Sequence, residues 1–197
     1  MIIDAIDRVI QIKIVYFGPA MSGKTTSLKS LFSHFGKDEE VESIESTVKR
    51  TLFFDYGTIK FRSDLWLLKI HIYSTTGQDF YIVTRPITLK AIDGIIFVAD
   101  SERTAFERNL ISWNELSSYF KDALQKLPKV IAFNKQDKLN KFNPQDFLNQ
   151  IAYNRYENIE KEFTIALNGE GILSSFENLL RLVFKEMYEE NIANAVH

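Results

Sequence analysis

The chain has 197 residues and a formal net charge of -2, with 45% hydrophobic residues and no cysteine. That length suits one domain with a sizeable core. The near-neutral charge excludes the basic footprint of a nucleic-acid binder, and the missing cysteine excludes disulfides, a thiol nucleophile and prenylation. Ile2 stands where N-myristoylation would need glycine, the first residues lack a basic region ahead of an apolar core, and no apolar run nears bilayer length. The expectation is a cytoplasmic protein without a direct membrane anchor, reaching a membrane only through a partner.

In chain order, "IQIKIVYF" (10–17) is β-branched and apolar and ends at Gly18, which predicts a buried strand. A helix is expected over 25–34, then a polar loop over 35–50. "RTLFFDYGTIKF" and "LWLLKIHIYS" predict an antiparallel hairpin turning near 62–64. A loop and a short helix over 80–90 come next, then the strand "GIIFVAD" (94–100) and a helix to about 124. "KVIAFN" (129–134) reads as a strand, 143–150 as a helix and "FTIAL" (163–167) as a strand. A final helix runs from 171 to the mid-190s, with Phe176, Leu179, Leu180, Val183 and Met187 at helical spacing. Alternation of this kind predicts an α/β domain, a mostly parallel doubly wound sheet with helices on both faces. Ligands of such sheets sit at the carboxyl ends of the strands, so the loops after Phe17, Ser74, Asp100, Asn134 and Leu167 should converge.

"GPAMSGKT" (18–25) matches G-x-x-x-x-G-K-[ST] between a strand and a helix. The glycines let the backbone curl, so that successive N–H groups from Ala20, Met21, Ser22, Gly23, Lys24, Thr25 and Thr26 can face a phosphate. The helix start adds its positive end. Lys24 can reach β- and γ-phosphates, and the Thr25 hydroxyl can bind Mg²⁺. The alternative is an ordinary tight turn with an exposed lysine.

"FNKQD" follows the 129–134 strand and supplies N-K-x-D as Asn134, Lys135 and Asp137. A carboxylate there can accept two hydrogen bonds from guanine, at N1–H and the 2-amino group, a pair adenine cannot offer. The Lys135 stem can lie over the base, and Asn134 can tie this loop to the phosphate cradle. The pattern points to GTP and GDP over ATP, and so against a kinase or ATPase of the same class.

On "KIVYFGPAMSGKTT", "RTLFFD", "GQDFY", "DGIIFVADS" and "NKQD", nearly the whole chain resembles the small Ras-like GTPases, and most closely the prokaryotic MglA group. The resemblance implies a single G domain over 1–197: a three-layer P-loop NTPase fold whose sheet has six strands, mostly parallel, with one antiparallel edge strand. It implies a Mg²⁺-dependent switch that hydrolyses GTP slowly and cycles between GTP- and GDP-bound forms. Thr51 resembles the switch threonine that joins Thr25 at Mg²⁺, and Arg50 an intrinsic arginine that neutralises transition-state charge. Gln78 resembles the glutamine that orients the attacking water, with Gly77 offering its N–H to the γ-phosphate; Lys24 completes the catalytic set. In "LNGEG", Ala166 or Leu167 would give a backbone N–H to the guanine oxygen. The implied partner is a Roadblock-type activator, alongside an exchange factor and an effector.

Three positions depart from the Ras-like pattern. Ser74 stands where an aspartate usually holds Mg²⁺ through water, a loss the MglA group shares, and Asp55 is the candidate replacement. Ala20 replaces a frequent glycine and can crowd Gln78 or Arg50. Ile165 and Leu167 replace the usual serine and lysine. Ser74 and Ala20 keep a non-hydrolysing nucleotide scaffold open as an alternative, and an Arf- or Rag-like branch is the second family. His34, His71 and His197 have no metal-ligand spacing, Trp66 and Trp113 read as packing, and Asp100 with Ser101 as a helix cap.

Overall fold

The computed structural model describes residues 1–36, 42–45, 51–75 and 88–195. Among them eight strands form one sheet. The strands are β1 (Ile2–Asp4), β2 (Val9–Phe17), β3 (Glu42–Glu45), β4 (Thr51–Arg62), β5 (Leu67–Thr75), β6 (Gly94–Asp100), β7 (Lys129–Asn134) and β8 (Ile159–Phe163). Their order is β3-β4-β5-β2-β6-β7-β8, with β1 paired to β2. The β5-β2-β6-β7-β8 block is parallel, whereas β3, β4 and β1 pair antiparallel.

The expected six strands therefore become eight. The true edge is β3, inside the stretch read as a loop, because four residues of "ESIE" give too short a pattern to see. The other addition, β1, uses spare backbone. β2 is nine residues long, but only Ile14–Phe17 pair with β6. β1 pairs with the first part, at Val9, Ile10 and Gln11. Its turn is closed by Asp4, whose carboxylate accepts the N–H groups of Ile6 and Asp7 at 3.0 Å. A third shift concerns β8, which ends where the predicted "FTIAL" strand begins. β8 is an edge strand of sequence IEKEF, and charge on an edge hides it from a search for apolar runs.

The helices are α1 (Lys24–His34), α2 (Phe106–Phe120), the short α3 (Ala123–Lys126), α4 (Pro144–Gln150) and α5 (Ile172–Ala195). Leu28, Leu31 and Phe32 of α1 join Phe176, Leu179 and Val183 of α5 over one face of the sheet. Trp113 and Leu116 of α2 join Phe147 and Leu148 of α4 over the other. β6 and β7 are buried along their whole length, which explains their unbroken apolar runs. α4 starts as its sequence suggests: Asn143 accepts the Gln145 N–H at 3.0 Å, and Pro144 sits in the first turn. No helix among the described residues is long and apolar enough to cross a membrane.

On the face of β2, β5 and β4 away from α1, the alternation brings polar side chains together. His71 Nδ1 lies 3.0 Å from the Tyr56 hydroxyl, and its Nε2 lies 3.1 Å from Gln11 Oε1. Burial, then the charges of Lys69 and Lys60, hold this imidazole below its usual value of 6.5. As pH falls the unfolded chain therefore takes up the proton first. The stability that His71 contributes is complete above 6.5 and is lost as pH falls below it. Thermal melts between about pH 7 and pH 5 should fall less steeply for His71→Gln than for the native chain. Equal slopes would remove His71 as a source of acid sensitivity.

Candidate functional site: a phosphate cradle joined to a base pocket

The loop between β2 and α1 curls tightly. Gly18 has φ of 145° and Gly23 has φ of 104°. A Cβ on Gly18 would lie 2.3 Å from the Val98 carbonyl oxygen, and one on Gly23 would lie 2.2 Å from Asn134 Nδ2. Both positions demand glycine on space as well as on backbone angle. Met21 also takes a left-handed conformation, with φ of 62°. Gly23 is the N-cap of α1, and the first turn of the helix itself carries no acidic residue.

Lys24 is buried beneath this curl. Its ammonium donates to the carbonyl oxygens of Gly18 at 2.9 Å and Pro19 at 2.7 Å, which holds the charge at the centre of the loop. Thr25 follows, and its hydroxyl donates to Asp55 Oδ2 at 2.5 Å. Ser22 is fully buried, and its Oγ has no hydrogen-bond partner.

Asn134, at the end of β7, joins this cradle to the loop that follows β8. Its Nδ2 donates to the Ser22 carbonyl at 2.8 Å. Its Oδ1 accepts from the Ala166 N–H at 3.0 Å and from the Thr164 hydroxyl at 3.1 Å. The cradle and the "LNGEG" loop are thus locked to one amide. Ala166, read as a donor to the base, spends its N–H on Asn134 here. Lys135 takes a left-handed conformation, with φ of 66°. Its ammonium donates to Asp100 Oδ2 at 2.7 Å and Glu102 Oε1 at 3.1 Å. Burial alone would lower its pKa, but these two carboxylates hold it above the usual range for lysine. Asp137 is exposed in the same loop. A cavity of about 260 Å³ lies between the loops, lined by Gly23, Thr26, Asn134, Lys135, Asp137 and Ala166 among others.

Asp100 corrects the reading of this residue as a helix cap. Its carboxylate does accept the Glu102 N–H at 3.0 Å, but it also grips Lys135, and Arg108 stands 3.7 Å away. Sequence reasoning missed Asp100, Glu102 and Thr164 as parts of the base loop. The available signal was an acidic residue closing the otherwise apolar run "GIIFVAD".

The donor set fits a nucleotide with its metal. The glycine cradle and buried ammonium suit phosphate oxygens, and the Thr25 hydroxyl beside a carboxylate suits a hard divalent cation. Ala20 and Leu167 lie on the loops that border this site, Leu167 largely exposed. Thr51 opens β4, with its side chain outside the described residues. Arg50, Gly77 and Gln78 lie outside the described residues, as does most of the helix expected over 80–90.

The sequence pattern of the ADP-ribosylation factor family matches residues 2–183. The chain belongs to this family of small GTPases. The chain is 31% identical over 191 residues to the mutual gliding-motility protein MglA of Myxococcus xanthus, covering 91% of this chain and 94% of that one. It is also 27% identical over 129 residues to an uncharacterized protein of Methanocaldococcus jannaschii, covering 64% of this chain and 71% of that one. The P-loop NTPase fold of the ADP-ribosylation factor family, with its mostly parallel sheet and antiparallel edge, is the fold described above.

Proposed function

We propose that this protein is a single-domain, cytoplasmic guanine-nucleotide switch that hydrolyses GTP. The observation that carries the reading is the Asn134 clasp. One amide binds the phosphate loop at Ser22 and the base loop at Ala166, so triphosphate and base would be read by one rigid unit. Lys24 would hold the β- and γ-phosphates, the loop amides from Ala20 to Thr26 the phosphate oxygens, and Asp137 the guanine edge. Thr25 and Thr51 would hold Mg²⁺, which when bound neutralises charge on the phosphates.

Hydrolysis needs two further groups. Gln78 orients the attacking water, and Arg50 offsets the charge that builds on the γ-phosphoryl oxygens. Gly77 and Thr51 sense the γ-phosphate, so its loss releases both segments and changes the face offered to a partner. The activator expected is a Roadblock-type dimer.

Single-turnover phosphate release tests the chemistry. The native chain should hydrolyse bound GTP with Mg²⁺ present, and Gln78→Ala and Arg50→Ala should each slow it by about 10²-fold. An effect of Gln78→Ala alone would make Arg50 a bystander. GTP staying bound and intact in all three, with a Roadblock-type activator added, would make the protein a non-hydrolysing scaffold.

A further inference from the structure

A second depression adjoins the base pocket. It is a groove of about 570 Å³ between α1, the loop after β8 and the start of α5. Thr26, Ala166 and Leu167 line both this groove and the cavity of about 260 Å³ described above. Along α1 the wall is Thr26, Lys29, Ser30 and Ser33. Their spacing of i, i+3, i+4 and i+7 sets them on one stripe of the helix. His34 is the last α1 residue to line it. On the loop side, Asn168 spends its side-chain oxygen on the Glu170 N–H at 3.1 Å, which leaves its amide N–H groups as donors. The loop and α1 come close at Gly169, where a Cβ would lie 3.2 Å from Ser30 Oγ. The described lining residues include no carboxylate. Phe35, just past the end of α1, packs on Phe61 and Phe176 and does not line the groove.

We propose that this groove takes a phosphate chain carried on the ribose, so that the site accepts a guanosine nucleotide with a second diphosphate on a ribose hydroxyl. The proposal rests on the guanine-nucleotide reading above. In that reading the phosphates lie on the loop that ends at Thr26, and the guanine edge lies on Asp137. The ribose joins the two, and so stands over Thr26, Ala166 and Leu167, the residues that both depressions share. The groove is then the space beside the sugar. One turn of α1, about 5.4 Å, carries the wall from Thr26 to Lys29 and Ser30, a step that a diphosphate spans. An ammonium, two serine hydroxyls and an amide on that wall are donors for phosphate oxygens, and charge-assisted hydrogen bonds are the strong ones. GTP and GDP carry only hydroxyls on the ribose and would leave the groove to water. A nucleotide with two diphosphates has no γ-phosphate, so it would compete with GTP and hold the GDP-bound form.

Calorimetric titration of the full chain with unlabelled nucleotides, at one salt and Mg²⁺ concentration, is the test. Guanosine 5′-diphosphate 3′-diphosphate should bind about 10-fold more tightly than GDP. Lys29→Glu and Ser33→Asp each put a carboxylate on the groove wall at an exposed position. Each should remove that advantage and leave GDP affinity within about twofold of native. Equal affinity of the native chain for the two nucleotides would make the groove a solvated gap and overturn the proposal. An advantage that survives both substitutions would place the second diphosphate elsewhere and overturn it as well. So would an equal loss for GDP, which would mean that these positions act on any nucleotide through charge or folding. Inorganic pyrophosphate added to the GDP-loaded chain should not bind in the same concentration range; if it did, the groove would hold a free anion and the link through ribose would fall. A native chain that binds neither nucleotide would instead defeat the guanine-nucleotide reading, and this proposal with it.

Discussion

Asp137→Ala should weaken GTP binding by about 10²- to 10⁴-fold while leaving the thermal melting temperature within a degree or so of native. The size follows from two charge-assisted hydrogen bonds, at about 1.5–3 kcal/mol each, lost from one carboxylate. The unchanged melting temperature follows from the placement of Asp137, which is exposed beside the cavity. Asn134 and Lys135 differ in this respect. Asn134 holds the Ser22 carbonyl, and Lys135 is gripped by Asp100 and Glu102, so their loss mixes binding with folding. Calorimetric titration with GTP and with ATP is the measurement. Affinity for ATP, whose base lacks that pair of donors, should not change. Equal loss for both nucleotides would mean that Asp137 reads charge and not the base.

Gly23→Ala should lower stability by about 3 kcal/mol and abolish measurable nucleotide binding. Two separate costs add up. A residue with a Cβ pays about 1–2 kcal/mol in a left-handed conformation, and Gly23 sits at φ of 104°. The added Cβ would also lie 2.2 Å from Asn134 Nδ2, displacing the amide that donates to Ser22 and costing a buried hydrogen bond worth about 1–3 kcal/mol. Calorimetric melting should show a fall of roughly 6–12 °C for a domain of this size. A melt close to native with binding lost would place the damage in the cradle alone, and a full recovery of both would show that Asn134 can move aside at little cost.

These two changes differ in how far the sequence alone could anticipate them. The loss at Asp137 follows from N-K-x-D, a pattern of four adjacent residues whose chemistry is carried by their own side chains. The damage at Gly23 is half legible. The need for glycine in G-x-x-x-x-G-K-[ST] is a local matter of backbone curl, but the collision with Asn134 joins residues 111 positions apart in the chain. Asp100 shows the limit. As a sequence it is an acidic residue ahead of a helix, and capping is the natural reading. Only the pairing of β6 with β7, which sets Asp100 beside Asn134, brings its carboxylate to Lys135. The missed β1 and β3 have the same origin: three- and four-residue strands carry almost no periodicity, and partners already in place make them strands.

What the sequence determined by itself was the alternating α/β order, the phosphate loop and the base loop, because each depends on contacts within a few residues. The tertiary structure alone decided which distant groups complete them. Asn134 reaches Ser22, Lys135 is braced by Asp100 and Glu102, and Asp55 meets Thr25 because the β4–β5 register sets it opposite Ser74. A shift of one residue in that register would turn Asp55 to the other face of the sheet, and no local pattern in the chain records which register is used.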